Sequence, residues 1–388
     1  MNRALQSLKP NSRILLVEPP FYRFFGYERW HYPITLTLVG TYLEQQGHFV
    51  RIFDADKPTP DCRSLTRLEV MDNYPQYEAA LSDREHPIWE ETLRVIKEFN
   101  PDVVGLTSIT AKIDSANIIA AMIRRELGRD IIIMLGGAHV QGMLTMHPEY
   151  DFGDVYDFVV PRIPEIIRLR PNKKLIMQHE TYSAANFSGI MTSTGCPNTC
   201  TFCCHSFEKS LVYRNINDIR MELEEIKDRY NGAAPIYIMD DCFFSNTKHF
   251  RSVSALLNEL QFQFTAGSRI MALTPEKIEL FAQQGGIKLL VGVESGSQRI
   301  LDKVEKRLRI EEIISRTRWL NKAGIPWSAF FVVGFPFETI DDLKRTEELI
   351  QKIRPSFVSM NRFTPYPGTQ IYKEYFAHKT CSSKIYSN

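Results

Sequence analysis

Cys196, Cys200 and Cys203 lie in one short segment, Thr194-Gly-Cys-Pro-Asn-Thr-Cys-Thr-Phe-Cys-Cys-His205, with the spacing C-x3-C-x2-C. Thiolates this close on a single loop are ligands for soft metals or for iron–sulfur clusters. Three of them can bind three irons of a [4Fe–4S] cubane, and the fourth iron then keeps an open position of the kind catalytic metal sites need. A structural zinc site closed by Cys204 or His205 is the alternative. A second C-x-x-C pair downstream would favour it, but Cys242 and Cys381 stand alone. Further polar and glycine-bearing segments follow at Asp240-Asp241, Arg269, Glu294-Ser295-Gly296, Gly334 and Pro365-Tyr-Pro-Gly-Thr369. A carboxylate such as Glu294, at the end of an apolar run and before a glycine turn, is costly to bury unpaired, so it points to a ligand or a partner.

These residues need a scaffold. From residue 188 onward, β-branched and aromatic runs predict strands over 190–193, 236–240, 262–269, 287–294, 327–333 and 357–363. Amphipathic patterns predict helices over 217–230, 275–284, 310–322 and 340–353. Six βα units in one block imply a partial (β/α)6 TIM-like barrel with its chemistry at the carboxyl ends of the strands. Upstream, strands at 13–17, 50–53, 102–106, 131–135 and 157–160 alternate with helical patterns such as 33–46 and 113–127. That rhythm predicts a doubly wound, Rossmann-like parallel sheet whose ligand lies beyond its carboxyl edge. The class is α/β throughout. Residues 57–86 break the rhythm, being polar and aromatic with little periodicity, and read as a disordered insert or a lid. The expected organisation is a first domain at 1–160, a linker at 161–187, a second domain at 188–375 and a tail at 376–388.

Composition narrows the function classes. The chain has 388 residues, with 47 basic against 46 acidic side chains, so nothing advertises a nucleic-acid partner. No apolar run approaches the roughly 20 residues of a membrane span. Seven cysteines, three of them clustered, do not form a disulfide pattern, and a reduced cytoplasmic protein is expected.

The thiol loop resembles the signature of the radical S-adenosylmethionine (SAM) superfamily, whose C-x3-C-x-aromatic-C loop binds a [4Fe–4S] cluster. The resemblance implies that Cys196, Cys200 and Cys203 are its ligands and that the open iron chelates the methionine end of SAM. An electron from the cluster, supplied by a reductant such as flavodoxin or ferredoxin, then yields methionine and a 5′-deoxyadenosyl radical. Phe202 fills the family's aromatic position near the adenine. Asp240 and Asp241 resemble the motif for the SAM amino group, and Arg269 an arginine found at the same strand end. Glu294 and Ser295 resemble the segment that faces SAM, while Gly334 and Pro367 fall in related turns at the next two strand ends.

The first domain is similar to that of the cobalamin (B12)-binding class of this superfamily, through Leu16-Val-Glu-Pro-Pro20, Pro101-Asp-Val-Val-Gly105 and Leu135-Gly-Gly-Ala-His139. The better-known members move a methyl group from methylcobalamin to unactivated carbon or phosphorus. Expected cobalamin contacts are Thr107, Ser108, Thr110, Gly136, Gly137 and His139. The chain departs from the class in two places. None of its nine histidines has an Asp two residues before it, so a histidine ligand in an Asp-x-His-x-x-Gly segment is excluded. Where relatives carry a Gly-Glu-Gly-Glu turn, this chain reads Pro161-Arg-Ile-Pro-Glu165. A cobalamin-free dehydratase, epimerase or rearrangement enzyme therefore stays open, as does a non-catalytic cobalamin or Fe–S sensor module. A tRNA methylthiotransferase would bring three cysteines in this half, which holds only Cys62. The expected substrate is a small or medium-sized molecule.

Overall fold

The structure, a computed structural model, describes residues 8–377 except 30, 66, 162, 205–209 and 231–233. It divides into two compact units. One runs to Tyr182 and takes in Tyr366–Gly368; the other comprises Ser183–Pro365 and Thr369–Phe376.

In the first unit, β1 (Arg13–Glu18), β2 (Phe49–Asp54), β3 (Val103–Thr107), β4 (Ile132–Gly136) and β5 (Phe158–Val160) form one parallel sheet in the order 2-1-3-4-5. The apolar run in β1 makes it a central strand, with Ile14, Leu15, Leu16 and Val17 all buried. The strand order reverses direction between β1 and β3, so the carboxyl edge there is the topological switch point where such sheets bind ligands.

The described residues of 57–86 do not form a disordered insert. Arg67–Ser82 is a helix, followed by a second at Pro87–Phe99. Tyr74, Tyr77 and Ala80 recur at helical spacing and are buried in the core of this unit. The Tyr77 hydroxyl meets Ser115 Oγ at 3.0 Å, and Trp89 Nε1 donates to the Ala80 carbonyl at 2.9 Å. Pro75 and the surrounding polar residues conceal this face in the sequence. The expected linker is folded as well. Ile163, Ile166, Ile167, Leu175 and Ile176 are buried, and Met177 N–H donates to the Ile52 carbonyl at 2.8 Å. Near residue 176 the segment runs beside Ile52 of β2, and around residue 166 it packs on the helix Ile34–Gln45, despite its Arg, Lys and Pro content.

In the second unit, β6 (Gly189–Ile190) starts a sheet, and β7 (Ser193–Thr194) pairs antiparallel with β8 (Val212–Tyr213). The sheet continues through β9 (Ile236–Ile238), β10 (Phe264–Arg269), β11 (Gly286–Glu294), β12 (Trp327–Val333) and β13 (Phe357–Arg362). These six strands are parallel and lie in chain order, 13-12-11-10-9-6, which is a partial barrel. The first expected strand, 190–193, is thus split, because the chain leaves the sheet after Ile190 to build the small hairpin that leads into the thiol loop. Phe243, Phe244, Phe250, Phe264 and Phe281 fill the core with edge-on and tilted ring contacts. Among the described residues no helix is long and apolar enough to cross a membrane.

Candidate functional site

The thiol loop leaves β7 and is fixed from several sides within the second unit. Thr201 N–H donates to the Val304 carbonyl and the Thr201 carbonyl accepts from Ile371 N–H, each at 3.1 Å. Thr199 Oγ1 donates to Glu305 at 3.1 Å, and Cys203 N–H closes a turn onto the Cys200 carbonyl. Cys200 is buried, while Cys196 and Cys203 are half-buried. Two sulfurs receive nitrogen donors: Asn198 Nδ2 lies 3.2 Å from Cys196 Sγ, and Arg269 Nη1 lies 3.1 Å from Cys200 Sγ. Just past β9, Cys242 turns its Sγ–H onto Cys196 Sγ at 3.2 Å. That hydrogen bond, with help from Asn198, lowers the Cys196 thiol to about 5 and raises that of Cys242. Phe202 packs edge-on against Phe335 at 5.7 Å, within a small apolar cluster.

Among the described residues no three Cys, His, Asp or Glu side chains converge closely enough to hold a single metal ion. A tetrahedral zinc–thiolate site needs sulfurs only about 4 Å apart, whereas a cubane binds its thiolates at separate corners and more widely spaced. The donor set of three thiols with N–H groups directed at two of them is suited to a cluster. His205, the other zinc candidate, lies outside the described residues.

The two aspartates just past β9 do different things. Asp240 accepts from Thr192 N–H at 2.6 Å, Thr192 Oγ1 at 2.5 Å and Ser193 Oγ at 2.6 Å. Burial raises its carboxyl to about 6, against the lowering effect of the Ser193 and Thr192 hydrogen bonds. Thr192 Oγ1 also meets His249 Nε2 at 2.8 Å. Asp241 accepts from Gly195 N–H at 2.8 Å and so orients the residue before Cys196.

At the ends of β10 and β11, Arg269 also donates to the Lys306 carbonyl, and Lys306 Nζ pairs with Glu294 Oε1 at 2.6 Å. Glu294 holds a left-handed backbone, φ 72°, as do Glu305 at 51° and Arg307 at 53°. Such conformations are uncommon outside glycine and persist where surrounding contacts impose them. Ser295 is fully buried and faces Thr346 Oγ1 at 3.3 Å. Gly296 sits so close to the helix Ile340–Ile353, which carries Thr346, that a Cβ would fall 2.3 Å from the Arg345 carbonyl oxygen. Gly334, at φ 85°, donates its N–H to Glu338. Pro367 belongs to the first unit, where its carbonyl oxygen comes within 2.3 Å of the Cβ position of Gly142. Of the expected SAM contacts, the structure thus joins Asp241, Arg269 and Glu294 to the thiol loop directly or through Lys306. Asp240 reaches the loop's entry, and Ser295, Gly334 and Pro367 engage other neighbours.

In the first unit the six expected cobalamin contacts do come together, at the carboxyl ends of β3 and β4. Ser108 N–H and Oγ both donate to the Gly136 carbonyl, at 2.7 and 2.9 Å. His139 N–H donates to the Ser108 carbonyl, and its Nδ1 lies 3.2 Å from Thr110 Oγ1. Thr107 pairs with Gly136 across the two strands.

A sequence profile of the radical SAM superfamily matches residues 190–350, and one of the B12 binding domain matches residues 27–160. The chain belongs to the radical SAM superfamily, in its B12-binding class. A relative in Pyrococcus horikoshii, the uncharacterized methyltransferase PH0819, is 26% identical over 74% of this chain and 72% of its own. The cytidylyl-2-hydroxyethylphosphonate methyltransferase of Streptomyces wedmorensis is 22% identical over 94% and 83%. Among solved structures, the radical SAM methyltransferase TsrM from Kitasatospora setae, with cobalamin and a [4Fe–4S] cluster bound, has the same fold. The TM-score is 0.63 at 14% identity, over 94% of this chain and 78% of that one.

The radical SAM enzyme also contains features that motif reading did not find. At the carboxyl ends of β1 and β2, Glu18, Arg29, Asp54, Asp56, Lys112 and Tyr182 form one buried ionic cluster. Lys112 Nζ pairs with Asp56 at 2.8 Å and with Glu18, while Arg29 and the Tyr182 hydroxyl both meet Asp54. Burial opposes the Lys112 charge, yet Asp56 and Glu18 hold its pKa above the ordinary value. The available signal was a lysine set between Ala111 and Ile113 in an apolar stretch, and a glutamate closing an apolar strand. Thr192, His249 and Lys306 likewise carry no motif.

Two expected results arise from the β3–β4 cradle. Gly137 has φ 109°, and a Cβ there would lie 2.3 Å from the Ser108 carbonyl oxygen. Gly137→Ala should therefore destabilise the first unit by about 2–5 kcal/mol, combining backbone strain with overpacking. Chemical denaturation measures this, and a midpoint within error of the parent would refute it. His139 is held neutral by burial, its pKa lowered from 6.5 to about 4. Its contribution is complete above pH 6.5 and is lost as the pH falls through 4. About 3 kcal/mol of stability should disappear over that window. In His139→Gln the same denaturation series should lose that part of its acid slope; an unchanged slope would place the titration elsewhere.

Proposed function

We propose that the protein is a cobalamin-dependent radical SAM methyltransferase that methylates an unactivated carbon of a small or medium-sized substrate. The observation that carries this is the succession, on one chain, of a B12-binding match and a radical SAM match. Both sequence relatives described above are methyltransferases. When bound, the cluster supplies the electron that cleaves SAM, and cobalamin supplies the methyl group.

The chain's own residues divide the remaining work. Cys196, Cys200 and Cys203 are the cluster ligands in this reading, with Asn198 and Arg269 donating to two of the sulfurs. Asp241 fixes Gly195 at the start of the loop. Asp240 is a positioning residue for Thr192 and Ser193, which leaves the SAM ammonium to the backbone carbonyls of the aspartate pair. Thr107, Thr110, Gly136, Gly137 and His139 would hold cobalamin with hydroxyls and backbone, a donor set suited to an amide-rich ligand. A reductant protein such as flavodoxin or ferredoxin and a cytoplasmic location complete the reading.

Anaerobic purification from cobalamin-supplied cells, with quantitation of iron, sulfide and corrinoid, tests it. About four irons and one corrinoid per chain are expected. Methyl transfer from labelled SAM to a co-purified or extracted small molecule should follow. Cluster and 5′-deoxyadenosine without corrinoid would overturn the methyl-transfer assignment while keeping the radical chemistry.

A further inference from the structure

Cys242 carries no motif, and its sulfur lies 3.2 Å from Cys196. It is 5% exposed, so water does not compete for its S–H. Its position is rigid: Phe243 and Phe244 beside it are fully buried in the aromatic core, and Ser245 N–H donates to the Cys242 carbonyl at 3.0 Å. Asp241, on its other side, is bonded to Gly195, the residue before Cys196. One short segment after β9 therefore holds the thiol loop twice, once through the backbone and once through sulfur.

Cys200 has its donor in Arg269, and Cys196 has Asn198 within the loop itself. Cys242 differs from Asn198 in coming from outside the loop, 46 residues along the chain from Cys196. Hydrogen bonds to the sulfurs are one of the means by which a protein sets the potential of an Fe–S cluster, because they stabilise the more negative, reduced state.

We propose that Cys242 is a positioning residue that donates its S–H to the Cys196 sulfur in the cluster-bound enzyme and so raises the reduction potential of the cluster. This rests on the reading that Cys196 is a cluster ligand. Cys242 itself keeps its proton and is not a ligand. It makes the electron delivered by the external reductant easier to accept before SAM is cleaved.

The test is a redox titration of the cluster-loaded full chain, followed by the electron paramagnetic resonance signal of the reduced cluster. Cys242→Ala should keep its iron but shift the potential to more negative values. The reduction equilibrium constant should fall about tenfold, equivalent to 59 mV for one electron. Cys242→Ser, which restores a donor, should return most of the shift, whereas a merely structural role would leave the potential of both variants unchanged. An unshifted potential in Cys242→Ala overturns the proposal. So does loss of iron in both Cys242 variants, which would make Cys242 a ligand. Iron content in Cys196→Ala separates the two layers: a full cluster there removes the underlying reading, whatever the Cys242 variants show.

Discussion

Cys196→Ala, Cys200→Ala and Cys203→Ala are each expected to abolish 5′-deoxyadenosine formation and to lower bound iron. Loss of an outer-shell group costs roughly 10- to 100-fold in metal affinity or activity, and loss of a direct ligand should exceed that. The three positions are not equivalent in their surroundings. Cys200 is buried and accepts from Arg269, so its removal also leaves a half-buried guanidinium donor without its sulfur acceptor. The Cys200 variant should therefore lose thermal stability as well. Cys204→Ala is the control, because the C-x3-C-x2-C spacing excludes it, and it should retain both iron and product. Iron and 5′-deoxyadenosine quantified side by side decide the matter. Sustained product from any of the three variants would remove that cysteine from the ligand set.

Lys112→Met should be the most damaging single change in the first unit. The methylene stem survives, but Glu18 and Asp56 are left as two carboxylates in a site only 3% exposed at the lysine side chain, with Arg29 nearest to Glu18 at 3.6 Å. Breaking a buried ion pair by removing one partner costs about 3–5 kcal/mol, because the remaining charge is neither solvated nor paired. Asp56 Oδ1 also accepts from Phe21 N–H at 2.7 Å and Arg23 N–H at 3.0 Å, so repulsion would reach the loop after β1. Denaturant unfolding measures the effect. A second change, Glu18→Gln, should recover part of the loss in the Lys112→Met background and only there. A loss below about 1 kcal/mol would show the cluster to be hydrated in solution.

The parts of the molecule legible in the sequence are those whose signal is local. Ile14 to Val17 and Trp327 to Val333 announce strands because a buried parallel strand is apolar on both faces. The thiol loop is legible because its three cysteines fall within eight residues of one another, at 196, 200 and 203. The helix Arg67–Ser82 was concealed because its buried face is built from Tyr74, Tyr77 and Ala80, with Pro75 among them. Residues 161–187 read as a linker because their cations and prolines outweigh a sparse set of isoleucines. The ionic cluster was illegible for a different reason. Glu18, Arg29, Asp54, Lys112 and Tyr182 lie far apart along the chain, and only the closing of the sheet brings them into one place. The same holds for Lys306, which reaches Glu294 through a loop with two non-glycine residues in the left-handed region.

The anchors of the thiol loop all lie downstream of it: Asp241 and Cys242, then Arg269, then Val304 and Glu305, and last Ile371, whose N–H meets the Thr201 carbonyl. Translation adds about 5–20 residues per second, so roughly 10–30 s pass between the emergence of Thr201 and that of Ile371. Over that interval the cysteines have left the ribosome while their anchors emerge one after another, Asp241 and Cys242 first and Ile371 last. A nascent chain stalled before residue 304 would present these thiols without the contacts to Val304, Glu305 and Ile371.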